Sequence, residues 1–380
     1  MTAGDDRGAL PRRPFLGLAV QDDVVRGVWP GSAAEALGIR SGDRIVSVDG
    51  GPPDAASIVP ANARAGETLT LALTPGGGSA ELRTVTLPLD PWPSERTPDA
   101  TTAYDHVVVD GARLRSIATI PGGGVGSVVL LLPGITAPPI DHAPDVDDPM
   151  RRLVVALAAA GIATLRVERR GVGDSEGDAA GATFESELGG YTAALTAFTE
   201  RHAADRARRF LFGHSLGGVQ APLIAARTPI AGIVAYGTTG LPWTEAWVAS
   251  VERQVRVLGL AGMAAAQTKR RSHGDDEATF GRSRGFVDGL RDVDVTPSWS
   301  QFAGRTLLLH GEHDVVTTLD EQRRIAQCCV AATVESMPGL DHGMTRVADA
   351  AAALRDPLGG TIVDDVAHRV ARFVTQASKM

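Results

Sequence analysis

The sequence predicts an α/β protein: a mainly parallel, doubly wound sheet with helices on both faces and a helical lid, preceded by a small β-rich domain. Three observations carry this expectation. First, in the later part of the chain, strand-like runs (the continuous apolar run 128–132, then 163–167, 209–212, 232–236, 306–310 and 333–337) alternate with helix-patterned stretches (150–160, 191–202, 362–375). Such alternation is expected where strands are buried on both faces and joined by crossover helices. Second, one of these runs, Phe210-Leu211-Phe212, enters Gly213-His214-Ser215-Leu216-Gly217, and an Ala-, Leu- and Ile-rich stretch follows. Third, the segment before Pro88, Pro91, Pro93 and Pro98 consists of short strands between Gly- and Asp-rich turns, and those prolines mark a semi-rigid linker.

In chain order, the small domain is expected over 12–90, the linker over 91–102 and the larger domain over 103–378, with a lid insertion over about 239–297. Strands at 15–20 and 24–28 flank a polar turn. Ser32 is placed to cap a short helix, with Glu35 completing a capping box and Gly38 ending it. A strand at 44–48, a second helix at 54–65 and a hairpin of 69–73 with 82–87 around Gly76-Gly77-Gly78 complete the domain. The larger domain opens with a hairpin of 107–110 and 114–120.

At 380 residues the chain exceeds what one core usually fills. A formal charge of −8 argues against a nucleic-acid partner, and Lys269-Arg270-Arg271, followed by Asp275, Asp276 and Glu277, reads as a solvated loop. The two cysteines, Cys328 and Cys329, are adjacent and poorly placed to bridge. Residues 1–14 carry charges of both signs without an apolar core, and no run approaches membrane-spanning length, so a cytoplasmic location without a membrane span is expected. Metal and nucleotide cofactors are not expected. The sequence has no HExxH and no CxxC pair, and its Gly-rich runs lack the Lys-Ser/Thr of a phosphate-binding loop.

Residues 103–378 resemble the α/β-hydrolase fold, nearest its esterase and acyl-peptidase branches. The resemblance rests on Gly213 to Gly217, Leu131-Leu132-Pro133-Gly134-Ile135, Arg169-Arg170-Gly171-Val172-Gly173-Asp174-Ser175, Leu309-His310-Gly311-Glu312-His313-Asp314 and Leu340-Asp341-His342-Gly343-Met344. It implies a serine hydrolase whose nucleophile, Ser215, sits on a sharp strand-to-helix turn, followed along the chain by an acid and a histidine base. Asp314 has the family's Gly-x-x-Asp spacing, with Glu312 as its rival. His342 lies in the loop after the last strand; His310 and His313 are alternative bases, and Asp341 is expected to shape the loop. The backbone N–H groups of Ile135 and Leu216 are the expected oxyanion donors. Arg170, Asp174 and Ser175 are expected to brace the neighbouring loop. His214, His142, Trp243 and Trp247 are the candidate substrate contacts, the tryptophans lying on an apolar stripe of the lid with Val251, Val255 and Leu258.

Residues 12–90 resemble a PDZ domain of the bacterial type, on Phe15-Leu16-Gly17-Leu18 and on the run from Gly31-Ser32-Ala33-Ala34 through Gly42-Asp43-Arg44-Ile45 to Val48-Asp49-Gly50. The resemblance implies that the backbone of Leu16, Gly17 and Leu18 receives a peptide's terminal carboxylate, with 54–65 as the other groove wall. Very little chain precedes Phe15, so a first strand has to come from the closing hairpin. The functional expectation is a serine hydrolase of a carboxylic ester, acting on a small-molecule acyl substrate. The alternatives are a peptidase or thioesterase whose PDZ-like domain captures a peptide or carrier terminus, and a non-catalytic peptide-binding scaffold.

Overall fold

The structure, a computed structural model, describes residues 9–53, 63–76, 81–136, 139–142, 148–202, 208–259, 281–357 and 359–377. Two compact units are present, one of Pro11–Glu95 and one of the residues from Arg96 onward together with those up to Leu10.

The smaller unit is a five-stranded antiparallel meander of Leu18–Gln21, Val24–Val28, Arg44–Val48, Thr68–Thr74 and Arg83–Pro88, in that order across the sheet. Its alternate residues Leu69, Leu71 and Leu73 face a core with Val25, Ile39, Ile45 and Leu87, the period-two burial of a one-sided sheet. Pro14–Phe15 pairs with Asp90–Pro91 in a separate two-stranded ribbon, so residues past the closing hairpin supply the partner for the strand at Phe15. The capping box forms only in half. Ser32 accepts the Glu35 N–H (3.2 Å), but the Glu35 carboxylate takes the N–H of Gly31, at 2.7 Å, one residue upstream of the expected one. Of the helix expected at 54–65, residues 54–62 lie outside the described residues, as do Gly77 and Gly78 of the hairpin turn; 63–65 are not helical.

The larger unit holds an eight-stranded sheet of β1 (Ala100–Val109), β2 (Ala112–Pro121), β3 (Ser127–Leu132), β4 (Ile162–Val167), β5 (Arg209–His214), β6 (Gly232–Tyr236), β7 (Arg305–Gly311) and β8 (Ala332–Met337). Their order across the sheet is 8-7-6-5-3-4-2-1. The six strands from β3 to β8 run parallel and the leading hairpin antiparallel. That hairpin is longer than expected, because β1 takes in residues assigned to the linker. Two cores cover the two faces: one includes Leu130, Leu132, Leu211, Tyr191 and Trp299, the other Val129, Leu131, Phe210, Phe212 and Phe373. Alternate residues of β3 and β5 thus serve opposite faces, and both strands are buried along their apolar runs.

The helices that matter below are α1 (Pro149–Ala159), α2 (Phe184–Arg201), α3 (Leu216–Ala225), α4 (Trp243–Leu258), α5 (Arg284–Arg291), α6 (Thr296–Gln301), α7 (Leu319–Cys328) and α8 (Asp365–Ala377). α2 begins two turns before the expected start, capped by Thr183 and Ser186 in a complete capping box; its Gly189-Gly190 pair hid the first turns. α8 starts later than expected, since Thr361–Ile362 pairs with Thr345–Arg346 as a small ribbon. Among the lid residues, 260–280 lie outside the described residues, and with them Lys269-Arg270-Arg271. Among the described residues no helix is long and apolar enough to cross a membrane.

Candidate active site

Four loops leave the C-terminal ends of parallel strands of the one sheet: after β3 at Ile135, after β5 at Ser215, after β7 at Asp314 and after β8 at His342. Parallel register therefore gathers at one sheet edge residues that are far apart in the chain.

Ser215 has φ +53° and ψ −116°, a region that costs a non-glycine residue about 1–3 kcal/mol. The surroundings enforce it. Its N–H donates to the Tyr236 carbonyl (2.8 Å) and its carbonyl accepts from Gly218 (2.9 Å), so the turn is bonded on both sides. A Cβ on Gly213 would lie 2.5 Å from the backbone of Gly217, and one on Gly217 would overlap the Leu132 carbonyl. The glycines are thus required by backbone crowding, and the serine is left at the mouth of α3. Leu216 opens that helix, and first-turn N–H groups have no intrahelical acceptor.

Asp314 is fully buried and its carboxylate is saturated. Oδ1 accepts the N–H groups of Val316 (2.8 Å) and Thr317 (3.0 Å), and Oδ2 accepts the Thr317 hydroxyl (2.9 Å). The same Oδ2 lies 2.9 Å from Nδ1 of His342. Burial pushes the carboxyl upward, but the His342 charge and these donors outweigh it and hold Asp314 down to about 2. Burial likewise opposes the His342 imidazolium, and Asp314 more than offsets it, so His342 titrates above its ordinary range.

Ser215 and His342 line one cavity of about 200 Å³, with Ile135, Gly237, Thr238, Thr239, Val316 and Thr317. Its roof is one face of α4: Trp243, Ala246, Trp247, Ser250 and Gln254. The two candidate tryptophans are thus brought together with Ser215. Ser250 and Gln254, bonded to each other at 3.0 Å, were not singled out by the apolar periodicity. A helical reading of residues 246, 250 and 254, spaced by four, would have found them.

Two candidate substrate contacts are placed elsewhere. The His214 ring is turned to the His342 carbonyl (Nε2 to O, 2.8 Å) and is not among the described cavity residues. Burial, with the neighbouring His342, pulls its pKa down to about 4, so it is a neutral strut under the histidine loop. His142 pairs with Asp148 ahead of α1 (3.6 Å) and is likewise not among them.

The remaining acids and histidines serve the loops. Glu312 accepts the Gly339 N–H (2.8 Å), and Asp341 accepts both the N–H and the hydroxyl of Thr345 (2.8 and 3.1 Å). The Tyr236 hydroxyl donates to the Asp341 carbonyl (2.6 Å), supporting the His342 loop from β6. His310 is buried within β7, and burial lowers its pKa. His313 donates its N–H to Leu340.

Beside the site, Asp174 accepts from Arg115 (3.2 Å) and Ser175 from the Arg115 N–H (2.9 Å). Among the described residues Arg170 donates to the Asp110 carbonyl (3.4 Å). Its neighbour Arg169, which sequence reasoning passed over, donates to the carbonyls of Gly134 (2.6 Å) and Thr136 in the Ile135 loop. In the smaller unit, Gly17 has φ +68° and its carbonyl accepts from Trp29 (2.9 Å), while Leu18 begins the strand at one end of the five-stranded sheet.

A family model described as serine aminopeptidase, S33, matches residues 148–346, just over half of the chain. Among solved structures, Est1E from Butyrivibrio proteoclasticus with ferulic acid bound is similar, at a TM-score of 0.50 and 17% identity over 72% of this chain and 96% of that one. Proline iminopeptidase of Mycobacterium smegmatis has a TM-score of 0.49 and 15% identity over 73% of this chain and 99% of that one. At 17% identity the likeness to Est1E speaks for the fold alone. No curated protein sequence matches the chain.

Proposed function

Because the chain belongs to the serine aminopeptidase S33 family and is an α/β-hydrolase-fold serine hydrolase, we propose that it cleaves a carboxylic ester of a small or medium, uncharged acyl group. In this reading Ser215 is the nucleophile, His342 the general base and then acid, and Asp314 the group that holds the imidazole in its working tautomer. One observation carries it: the bond from His342 Nδ1 to the buried Asp314 carboxylate, on the wall of the cavity that Ser215 also lines.

Asp314 accepting at Nδ1 leaves Nε2 as the basic nitrogen. Attack of the Ser215 oxygen on the acyl carbon transfers the hydroxyl proton to Nε2 and puts negative charge on the former carbonyl oxygen. The N–H groups of Ile135 and Leu216 are the donors for that oxygen, each worth on the order of 3 kcal/mol. Collapse returns the proton to the leaving alcohol, and a water activated the same way releases the acid.

The described lining offers indole rings, hydroxyls and an amide, groups that suit a neutral acyl chain. Fluorophosphonate labelling tests the chemistry. An adduct on Ser215 in the parent, lost in Ser215→Ala and in His342→Ala, is expected, and a folded parent that takes no label at Ser215 refutes it. A panel of esters, thioesters and peptides tests the substrate class: esters are expected to turn over fastest, and faster peptide cleavage would favour the peptidase reading.

That second reading draws on the smaller unit, which we propose is PDZ-like. Its terminal strand Leu18–Gln21 is placed for strand addition, with Leu16, Gly17 and Leu18 offering N–H groups to a peptide carboxylate. Peptides with free and amidated C-termini, titrated by fluorescence anisotropy, decide this; equal affinity for both removes the carboxylate role.

A further inference from the structure

An oxyanion hole needs two donors at a fixed separation, and here they sit on different elements: Ile135 on the loop after β3 and Leu216 at the start of α3. Neither element alone sets that separation. The Gly134 carbonyl belongs to the same peptide group as the Ile135 N–H, and in a trans peptide the two point in opposite directions. Arg169, two residues past the end of β4, grips that carbonyl at 2.6 Å and the Thr136 carbonyl beside it. The Ile135 N–H is therefore held facing away from the arginine.

Arg169 is itself fixed. Its Nε donates to Glu187 on α2 (3.1 Å), and both side chains are buried. The other Glu187 oxygen accepts from Nε2 of Gln220 (2.8 Å), a fully buried residue of α3. Arg282, just before α5, also bonds Glu187 and stacks on Phe286, which meets Phe184 of α2. Buried charge is retained at such a place only when paired and hydrogen-bonded.

We propose that Arg169, Glu187 and Gln220 form a strut that sets the spacing of the two oxyanion donors, with Arg169 as a positioning residue that aims the Ile135 N–H at the oxyanion. The inference rests on the acyl-transfer reading of the Ser215 site. Arg282 adds a second cation to the Glu187 carboxylate and ties the strut to the lid segment at α5.

The test is steady-state hydrolysis of a short-chain p-nitrophenyl ester by the full chain and its Arg169→Gln, Arg169→Lys and Gln220→Ala variants, each checked for folding by thermal melting. Misplacing one donor costs on the order of 100-fold in kcat. Arg169→Gln is expected to lose about that, with KM changed less than about threefold; Gln220→Ala is expected to lose about tenfold, and the double variant no more than Arg169→Gln alone, as residues acting as one unit do. Arg169→Lys keeps the charge, reaches one carbonyl, and is expected to fall between. Affinity for a boronic acid, whose tetrahedral adduct mimics the oxyanion, is expected to fall in step with kcat/KM.

Folded Arg169 variants with kcat within twofold of the parent overturn the strut, as does a loss confined to KM. Should Arg169→Gln not fold, Arg169→Lys and Gln220→Ala decide by the same criteria. Ser215→Ala separates the premises. If it retains turnover, the acyl-transfer reading itself fails; if it is inactive while the Arg169 variants are not impaired, only the strut fails.

Discussion

Replacing Asp314 by Asn changes one oxygen for an NH2 group and nothing in volume, so its effect can be worked from the hydrogen bonds. Oδ1 already accepts two backbone N–H groups, from Val316 and Thr317, and an acceptor must stay there. The amide NH2 is therefore placed at the Oδ2 position, facing Nδ1 of His342 (2.9 Å) and the Thr317 hydroxyl (2.9 Å), which can turn to accept. An NH2 at that position donates to Nδ1, which forces the imidazole proton onto Nε2, where the serine proton has to go. A wrong tautomer of this kind costs on the order of 10⁴-fold in kcat, about 5 kcal/mol of barrier. The assay is hydrolysis of a p-nitrophenyl ester at pH 8, with thermal melting to show that the variant is folded and Glu312→Gln as the comparison. Glu312 is exposed and bonds Gly339, so its variant is expected to stay within about twofold. A folded Asp314→Asn enzyme within tenfold of the parent would refute the assignment, and a large loss in Glu312→Gln instead would move the acid to that residue.

The pH dependence follows from the same pair. His342 must be neutral to act as base, and its pKa is raised, so the acid limb of kcat/KM is expected to have its midpoint above 6.5 and to move down in Asp314→Asn. His214, held to about 4, is neutral throughout that limb, which is therefore expected to fit a single proton. For stability, Asp314 is depressed from 3.8 to about 2, so its contribution is present above about pH 4 and lost as pH falls through about 2. The His342 contribution is complete below 6.5 and lost as pH rises through its elevated folded value. Urea midpoints are thus expected to separate parent from Asp314→Asn most widely between about pH 4 and 6.5. Gly217→Ala sets a Cβ against the Leu132 carbonyl of β3, a backbone atom that cannot turn aside, and is expected to destabilise by about 3 kcal/mol or more in urea titrations. Trp247→Ala enlarges the cavity under α4 and is expected to shift kcat/KM toward longer acyl chains by about tenfold, read from a chain-length series; an unchanged preference would place the acyl group elsewhere.

Much was legible along the chain because it is local. Short strand-like runs that alternate with helix-patterned stretches suit a parallel sheet with crossover helices, and six of them appear at the expected places as β3 to β8, the edge strand β8 being only partly buried. Gly-x-Ser-x-Gly predicts a crowded turn, because a side chain at either glycine would strike backbone a few residues or one strand away. Asp314 and His342 carried their own signals, a strand end and a short Gly-bounded loop. The helix boundaries that missed did so where glycines or a two-residue ribbon interrupt the periodicity, at the start of α2 and before α8.

What only the tertiary structure decided is which polar groups meet. His214 and His142 were both candidate substrate contacts in the sequence, yet one supports the His342 carbonyl and the other pairs with Asp148. Arg169 and Arg170 are neighbours that alternate in direction, so one grips the Ile135 loop and the other a surface carbonyl. Glu187 and Gln220 are 33 residues apart and carry no shared pattern, because a hydrogen bond between two helices depends on how those helices pack on the sheet. The strand and turn pattern resides in short-range spacing. The partners of its buried charges reside in distances the chain closes only when folded.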